Sequence, residues 1–170
     1  GTTNGEMRMY TSNPGHTKTS FGGVARNIAE AIARLGTSPL LLTAVGDDPF
    51  GDTLKRHCVE ELNMDGRGIR VVPSGRTGMY VALFDSGGDL QNAVADADIA
   101  KDFVNKDFVR EFESQIKSAN VVIVDANLSE DTLSEIGKLS SATCWLEPTS
   151  VAKAQSCVRA GLLKHVTVIS

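Results

Sequence analysis

The sequence predicts an α/β fold built on a parallel sheet that is interrupted by an antiparallel insertion. Apolar residues recur at helical spacing in segments that alternate with short apolar runs of strand length. Some of these runs, such as 39–45 and 121–124, show almost no polar alternation, as expected for strands covered on both faces. The middle of the chain, 69–95, instead has short runs separated by turn residues, which is typical of antiparallel strands.

The composition is that of a globular domain, or of a large part of one. The chain has 170 residues, of which 41% are hydrophobic and 22% are charged. A net charge of −4 argues against nucleic-acid binding, and no apolar run approaches the roughly 20 residues that span a bilayer. Three cysteines without CxxC spacing indicate a reducing compartment rather than disulfides or zinc, so we expect an intracellular, cytoplasmic protein.

In the first half of the chain, residues 8–11 are predicted as a short exposed strand and 39–45 as a buried one. A helix is predicted over 24–35, and the glycine that follows it is placed to end it. Asp48 is a suitable N-cap for a second helix, since a proline stands at the first helical position. The runs 69–72, 78–85 and 89–95 are assigned to the antiparallel insertion.

In the second half, helices and strands alternate again. One helix is predicted with an apolar face over 104–116, and the remaining elements are a strand at 121–124, a helix at 130–139, a strand at 143–146, a helix after Ser150 and a strand at 166–169. Trp145 is expected in the core. Right-handed crossovers place the carboxyl ends of parallel strands at one edge, where ligands bind in open α/β sheets. That edge is expected to carry Asp125, Asn127, Glu147, Thr149 and Ser150.

The strongest local signal is a pair of glycines, Gly22 and Gly23, directly before the first helix. Glycines let the backbone approach a ligand closely because no Cβ intervenes. Asn27, one turn into the helix, both donates and accepts hydrogen bonds, which suits the vicinal hydroxyls of a sugar. The alternative is a tight loop with Asn27 in solvent. The motif is neither a dinucleotide fingerprint nor a P-loop, because GxGxxG and GK[ST] are absent.

Two further signals lie at strand ends. Asp125 and Asn127 follow the strand at 121–124 and are placed to point into the expected cleft, although Asn127 or Ser129 can equally cap the next helix. Glu147 directly follows a buried strand, and helix capping does not explain an acidic residue there. Glu147 and Asp125 are therefore candidates for the metal or phosphate side of a site.

The motif GGxxxNxA at 22–29, with Leu35-Gly36 and the run VGDDPFG at 45–51, resembles the N-terminal signature of the ribokinase-like (PfkB) carbohydrate kinases. The resemblance covers essentially the whole chain. Within the family, the stretches 13–29, 124–129 and 147–150 are similar to the pseudouridine kinases.

The resemblance implies a three-layer αβα sandwich, here incomplete, with a small β-sheet lid. The lid would take about 6–20 and 69–98, including a strand at 7–11, and the core about 21–68 and 99–170. In the family, the positions of Gly22, Gly23 and Asn27 hold the sugar hydroxyls, and that of Asn127 also faces the sugar. The resemblance places Asp96 and Asp98, in the lid, near the base or the sugar.

The resemblance also implies phosphoryl transfer from ATP and Mg²⁺ to a sugar or nucleoside hydroxyl, with the 5′-hydroxyl of pseudouridine as the expected acceptor. The family's catalytic Asp lies in a GxGD motif and its magnesium-organising residues in an NxxE motif, and neither motif occurs in this sequence. We expect both beyond Ser170. The chain is thus interpreted as a fragment with material missing at both ends, which supplies the substrate-binding half and is inactive alone.

Two alternatives remain open from the sequence. One is another sugar kinase of the family, with ribose or fructose as the substrate. The other is a non-catalytic module for sugar binding or dimerisation, because lid sheets in this family often mediate dimers and the apolar run 79–84 is suited to that role.

Overall fold

The computed structural model describes residues 8–170. The first half contains α1 (Val24–Arg34), β1 (Thr43–Gly46), α2 (Pro49–Arg56), β2 (Ile69–Val72), β3 (Met79–Phe84) and β4 (Leu90–Asp96). The second half contains α3 (Ile99–Phe103), α4 (Lys106–Glu111), α5 (Glu113–Ser118), β5 (Val121–Asp125), α6 (Glu130–Leu139), β6 (Thr143–Glu147), α7 (Val151–Arg159) and β7 (Val168–Ile169).

The strands of residues 8–170 form two parallel sheets and one antiparallel hairpin. β1 pairs with β2, and β5, β6 and β7 form a three-stranded sheet in that order, with parallel pairing throughout. β3 and β4 form the hairpin, which we call the lid. The predicted α/β class with an antiparallel interruption is therefore observed. Register places Asp125 opposite Glu147, so two strand-end carboxylates lie on neighbouring strands.

The strand at 69–72 was wrongly assigned to the antiparallel insertion. It forms β2 and pairs in parallel with β1. The helix α2 lies between these strands, and a helical crossover returns the chain in the same direction, which makes the pairing parallel. The close approach of the chains is visible at Gly68, where an added Cβ would lie 2.3 Å from the carbonyl oxygen of Leu41.

The expected strand at 8–11 is also wrong for the described residues 8 to 11, which form a turn. Asn13 accepts a hydrogen bond from the backbone N–H of Arg8 at 2.8 Å and donates to its carbonyl oxygen at 2.9 Å. Tyr10 has a φ of 61°. An asparagine side chain that replaces backbone partners in this way closes a local loop instead of a strand. Residue 7 of the expected strand lies outside the described residues.

The single helix expected over 104–116 is instead two helices, α4 and α5, which are separated at Phe112, and the short helix α3 ends before this range, at Phe103. Val104 leaves the helical conformation, with a φ of −88° and a ψ of 66°. The side chain of Asn105 then accepts a hydrogen bond from the backbone N–H of Phe108 at 3.0 Å and caps α4. The predicted apolar face is still buried although the helix is interrupted. Its members are Val104, Phe108, Phe112 and Ile116.

Two clusters of buried side chains form the core. The larger one packs α4, α5 and α6 against β5 and β6, and the smaller one packs α1 and the helical segment 54–62 against β1 and β2. The three cysteines are buried free thiols. Trp145, expected in the core, is 40% exposed, because it borders the cavity described next.

A large cavity lies between the two parallel sheets. Within residues 8–170, no strand joins β1 to β5, so each presents an unpaired edge. The cavity has a volume of about 2310 Å³ and is lined by 39–45, 121–128, the first turns of α1 and the lid. Typical ligand pockets measure about 300–1,000 Å³, so a small ligand would occupy only a part of this space.

The described residues include no helix long and apolar enough to cross a bilayer.

Asp48 fastens the lid to the core. Its carboxylate accepts from the backbone N–H of Gly51 at 2.8 Å, which caps α2, and from the N–H and hydroxyl of Thr77, both at 2.7 Å. Thr77 lies two residues before β3, and its hydroxyl oxygen also accepts from the N–H of Gly46 at 3.0 Å. These hydrogen bonds lower the pKa of Asp48, with the Thr77 backbone as the largest cause.

We predict that Asp48→Ala lowers the free energy of unfolding by about 2 kcal/mol, since it removes a helix cap and the Thr77 contacts. Chemical denaturation near pH 7 measures the loss, and Asp47→Ala, at the exposed neighbouring carboxylate, is the matched control. The pKa of Asp48 is lowered in the folded state, so its stabilisation is present above the usual aspartate pKa of about 3.9 and is lost below it. The difference between wild type and variant must narrow in acid, and equal stability at pH 7 would contradict the prediction.

Candidate functional site

The double-glycine bend opens into the cavity. Gly22 and Gly23 are exposed and line it, and Gly23 has a φ of +96°, which favours glycine. A Cβ added at Gly22 would meet no atom within 4 Å. Within residues 8–170, the bend is therefore open in the direction that a side chain at Gly22 would take.

Asp125 joins this bend to the carboxyl end of β5. Its Oδ2 accepts from the backbone N–H of Ala25, in the first turn of α1, at 3.0 Å. Its Oδ1 accepts from the backbone N–H of Asn127 at 3.0 Å. The two segments are 100 residues apart in sequence, and one carboxylate brings them together. A negative charge at the N-terminus of α1 is also favourable for the helix dipole.

Asn27 and Asn127 line the same cavity, and each has a cationic neighbour. The guanidinium of Arg26 donates to Oδ1 of Asn27, and Nζ of Lys153, at the start of α7, donates to Oδ1 of Asn127. Asn27 was expected both to donate to a ligand and to accept from it, and Asn127 to face the sugar. In the structure, part of the acceptor capacity of each amide oxygen is already used.

Arg26 is the buried centre of a network around the bend. It is only 6% exposed, and its Nε donates to the carbonyl oxygen of Gly22 at 2.8 Å. Its Nη1 lies 2.5 Å from Glu30, which also accepts from Arg34 at 2.6 Å. The hydrogen bonds from Arg26 and then Arg34 lower the pKa of Glu30 to about 2. Phe21 stacks on the ring of His57, with centroids 4.3 Å apart.

Glu147 does not line the cavity. Its carboxylate accepts from the hydroxyl of Ser170 at 2.6 Å and from the backbone N–H of Thr149 at 2.9 Å. These hydrogen bonds, with Ser170 as the larger cause, lower the pKa of Glu147. Across residues 8–170, no group of three or more His, Cys, Asp or Glu side chains is arranged to hold a metal ion.

The two aspartates that the resemblance placed in the lid differ in the cavities that they line, and only Asp96 belongs to the β3–β4 hairpin. Asp98 lines the main cavity and also a second one of about 290 Å³, whereas Asp96 lines only the second. Asp96 pairs with Arg76 at 2.8 Å.

Six of the eight residues expected at a site thus share one cavity, and two do not. The six are Gly22, Gly23, Asn27, Asp98, Asp125 and Asn127. Sequence reasoning missed Arg26 and Lys153. The sequence could have indicated Lys153, because a cation in the first turn of a helix is unfavourable for the helix dipole and its presence suggests a specific contact. The indication for Arg26 is weaker and consists of its i,i+4 spacing to Glu30.

Comparison with known proteins identifies the family. The profile described as "pfkB family carbohydrate kinase" matches residues 2–169. The chain belongs to the PfkB family of carbohydrate kinases. The resemblance inferred from the glycine bend and the run at 45–51 is therefore confirmed.

Two curated relatives of this PfkB chain are pseudouridine kinases. The one from Arabidopsis thaliana is 34% identical over 163 residues, which is 94% of this chain and 42% of the relative. The one from Escherichia coli K12 is 31% identical over 157 residues, which is 90% of this chain and 48% of the relative. The chain therefore spans less than half the length of these relatives.

Solved structures confirm the ribokinase-like fold. A carbohydrate kinase from Agrobacterium tumefaciens superposes with a TM-score of 0.79 at 26% identity, over 96% of this chain and 53% of that one. Ribokinase from Thermotoga maritima superposes with a TM-score of 0.77 at 18% identity, over 94% of this chain and 50% of that one.

We predict that Asp125→Ala destabilises this PfkB chain by about 1–3 kcal/mol, because two backbone N–H groups lose their acceptor in a partly buried place. Chemical denaturation measures the change. Asp131→Ala, which removes an exposed carboxylate from the first turn of α6, is the control and should cost a few tenths of a kcal/mol, about the value of one exposed charge at a helix end. Equal losses in the two variants would show that Asp125 does not hold the two segments together.

Proposed function

We propose that this chain is the substrate-binding half of a kinase that phosphorylates a sugar or nucleoside hydroxyl, with pseudouridine as the substrate and pseudouridine 5′-phosphate as the product. The observation that carries the proposal is the Asp125 carboxylate, which holds the open glycine bend and the Asn127 loop over one cavity. Exposed backbone and amide groups of this kind suit the hydroxyls of a ribosyl group.

The choice of pseudouridine rests on the two pseudouridine kinases, which align over nearly the whole chain. Relatives named ribokinase align over less of it, as with 68% of the chain for the one from Haemophilus influenzae. Ribose is therefore the second substrate to be tested.

The buried free thiols are consistent with a reducing, intracellular compartment.

ATP and Mg²⁺ are proposed as the phosphate donor and its metal for the intact enzyme. A solved sugar kinase from Pyrococcus horikoshii, at 19% identity, is in complex with ATP. The residues described in this chain do not fit a magnesium site: the oxygens of Asp125 and Glu147 are engaged by N–H and hydroxyl groups, and the acidic side chains do not cluster. We therefore assign no step of phosphoryl transfer to these residues.

The proposal is tested by measuring ligand binding and product formation separately. Isothermal titration should show that the 170-residue chain binds pseudouridine more tightly than uridine or ribose. Gly22→Ala should weaken that binding by roughly tenfold, since its methyl group would project into open space above the bend without straining the fold. The chain with Mg²⁺ and ATP should form no nucleoside monophosphate.

Each arm has an outcome that would contradict the proposal. Absence of binding to every nucleoside and pentose would remove the substrate-binding role. Measurable phosphate transfer by the chain would contradict the proposal that it binds the substrate but does not catalyse the reaction by itself. Tighter binding of ribose than of pseudouridine would contradict the proposed substrate, but it would still support the proposed binding site.

A homodimer formed through the lid is part of the proposal. The lid exposes apolar side chains, among them Val81 (50%) and Val94 (66%), which lie opposite each other on neighbouring strands. A two-stranded hairpin alone is marginally stable in water, so a second apolar surface would stabilise it.

We predict that Val81→Lys converts the dimer to a monomer in sedimentation velocity experiments, because a charge would be buried in the contact. Val158→Lys, at a valine of α7 that is 60% exposed, is the matched control and should leave the dimer unchanged. A monomeric wild type, or a dimer in the Val81 variant, would exclude the lid as the interface.

A further inference from the structure

The two cavity asparagines are held in the same way by different elements. Asn27 of α1 accepts from the guanidinium of Arg26, and Asn127, which follows β5, accepts from Nζ of Lys153. In both cases the amide oxygen faces a cation. Arginine and lysine carry donors and no acceptor, so the NH₂ end of an amide cannot take the place of its oxygen there.

The cations therefore determine which part of each amide is left for a ligand. With Oδ1 directed at the cation, Nδ2 and its two N–H donors lie at the opposite end of a planar group. Both asparagines line the cavity, so the groups that they offer to a ligand there are mainly donors.

Arg26 is itself held in place. Its donors reach the carbonyl oxygen of Gly22 at 2.8 Å and the carboxylate of Glu30 at 2.5 Å, and it is almost fully buried. Glu30 stays ionised far into acid, because its two arginine neighbours lower its pKa to about 2. The glycine bend and the Asn27 amide thus share one buried anchor, which does not loosen at neutral pH.

We propose that Arg26 and Lys153 are positioning residues. They hold Asn27 and Asn127 so that the side-chain N–H groups of these asparagines point toward the ligand, and the site then favours a substrate that presents hydrogen-bond acceptors at these two positions. This rests on the proposed function and refines it. The ligand atoms at these two positions are hydroxyl lone pairs or carbonyl oxygens, as a ribosyl group or a pyrimidine dione offers. A ligand with an amino group there would place donor against donor and is rejected.

The direction of the hydrogen bonds is tested by Asn27→Asp and Asn127→Asp. Each change keeps an oxygen for the cation and replaces the N–H donors with a second oxygen. We expect pseudouridine to bind about tenfold more weakly to either variant in isothermal titration, the effect of about one lost hydrogen bond. Asn105→Asp, at the N-cap of α4 and outside the cavity lining, adds the same charge, keeps an oxygen for its capping hydrogen bond and should bind as the wild type does. Unchanged or tighter binding by both site variants would overturn the proposal, because the amides would then act as acceptors.

The locking role is tested without a ligand, by the NMR signals of the side-chain NH₂ groups of Asn27 and Asn127. Arg26→Met and Lys153→Met should each shift and broaden the signal of the asparagine that they contact. The controls are Arg34→Met, which removes the other arginine of Glu30, and Arg159→Met, on the same helix as Lys153. Lys153 is exposed, so its variant is expected to fold even if the Arg26 variant does not.

The outcomes separate the two proposals. Unchanged amide signals in the Lys153 and Arg26 variants would overturn the locking role, whatever the ligand is. Sharp effects on the amides, in a chain that binds no nucleoside or pentose, would support the lock and refute the proposed function. Restoration of the Asn27 signal by Arg26→Lys, which keeps a cation without the guanidinium fork, would further support orientation by charge.

Discussion

One carboxylate determines how the candidate site is assembled. Asp125 accepts one hydrogen bond from the first turn of α1 and another from the Asn127 backbone, so each of its oxygens serves a different segment. Without it, the backbone N–H groups of Ala25 and Asn127 would both lose their acceptor. The open bend and the polar edge of the second sheet therefore depend on a contact between residues far apart in the sequence.

A second feature of the site is the cavity between the two parallel sheets that residues 8–170 form. Among these residues, β1 and β5 border the cavity, and the glycine bend, the asparagines and the lid lie around it. Its volume exceeds what a nucleoside requires, and Trp145 borders it instead of packing in the core. The lid is fastened separately, through Asp48 and Thr77, so its attachment does not depend on the contacts around Asp125.

Charge within the site is used mainly for orientation. Arg26 is buried and paired with Glu30, Lys153 contacts an asparagine, and both oxygens of the Asp125 carboxylate accept from backbone N–H groups. Buried or partly buried ionic groups of this kind rarely add much net stability, but removal of one partner is costly. The arrangement is consistent with the substrate-binding role proposed for this chain.

The sequence by itself determined the fold class, the family and most of the helices and strands, because caps such as Asp48 and Ser150 and the apolar spacing act over a few residues. It also indicated the glycine bend, Asn27, Asp125 and Asn127. Only the tertiary structure decided that 69–72 pairs in parallel, that the helix expected over 104–116 breaks at Phe112, that Glu147 lies away from the cavity, and that Arg26 and Lys153 hold the amides. The strand pairing and the contacts of Glu147 and Lys153 depend on distant segments, and the local pattern of a chain carries no information about which of them will meet. The helix break and the Arg26–Asn27 contact are local, but residue spacing does not determine which of several polar partners a side chain takes.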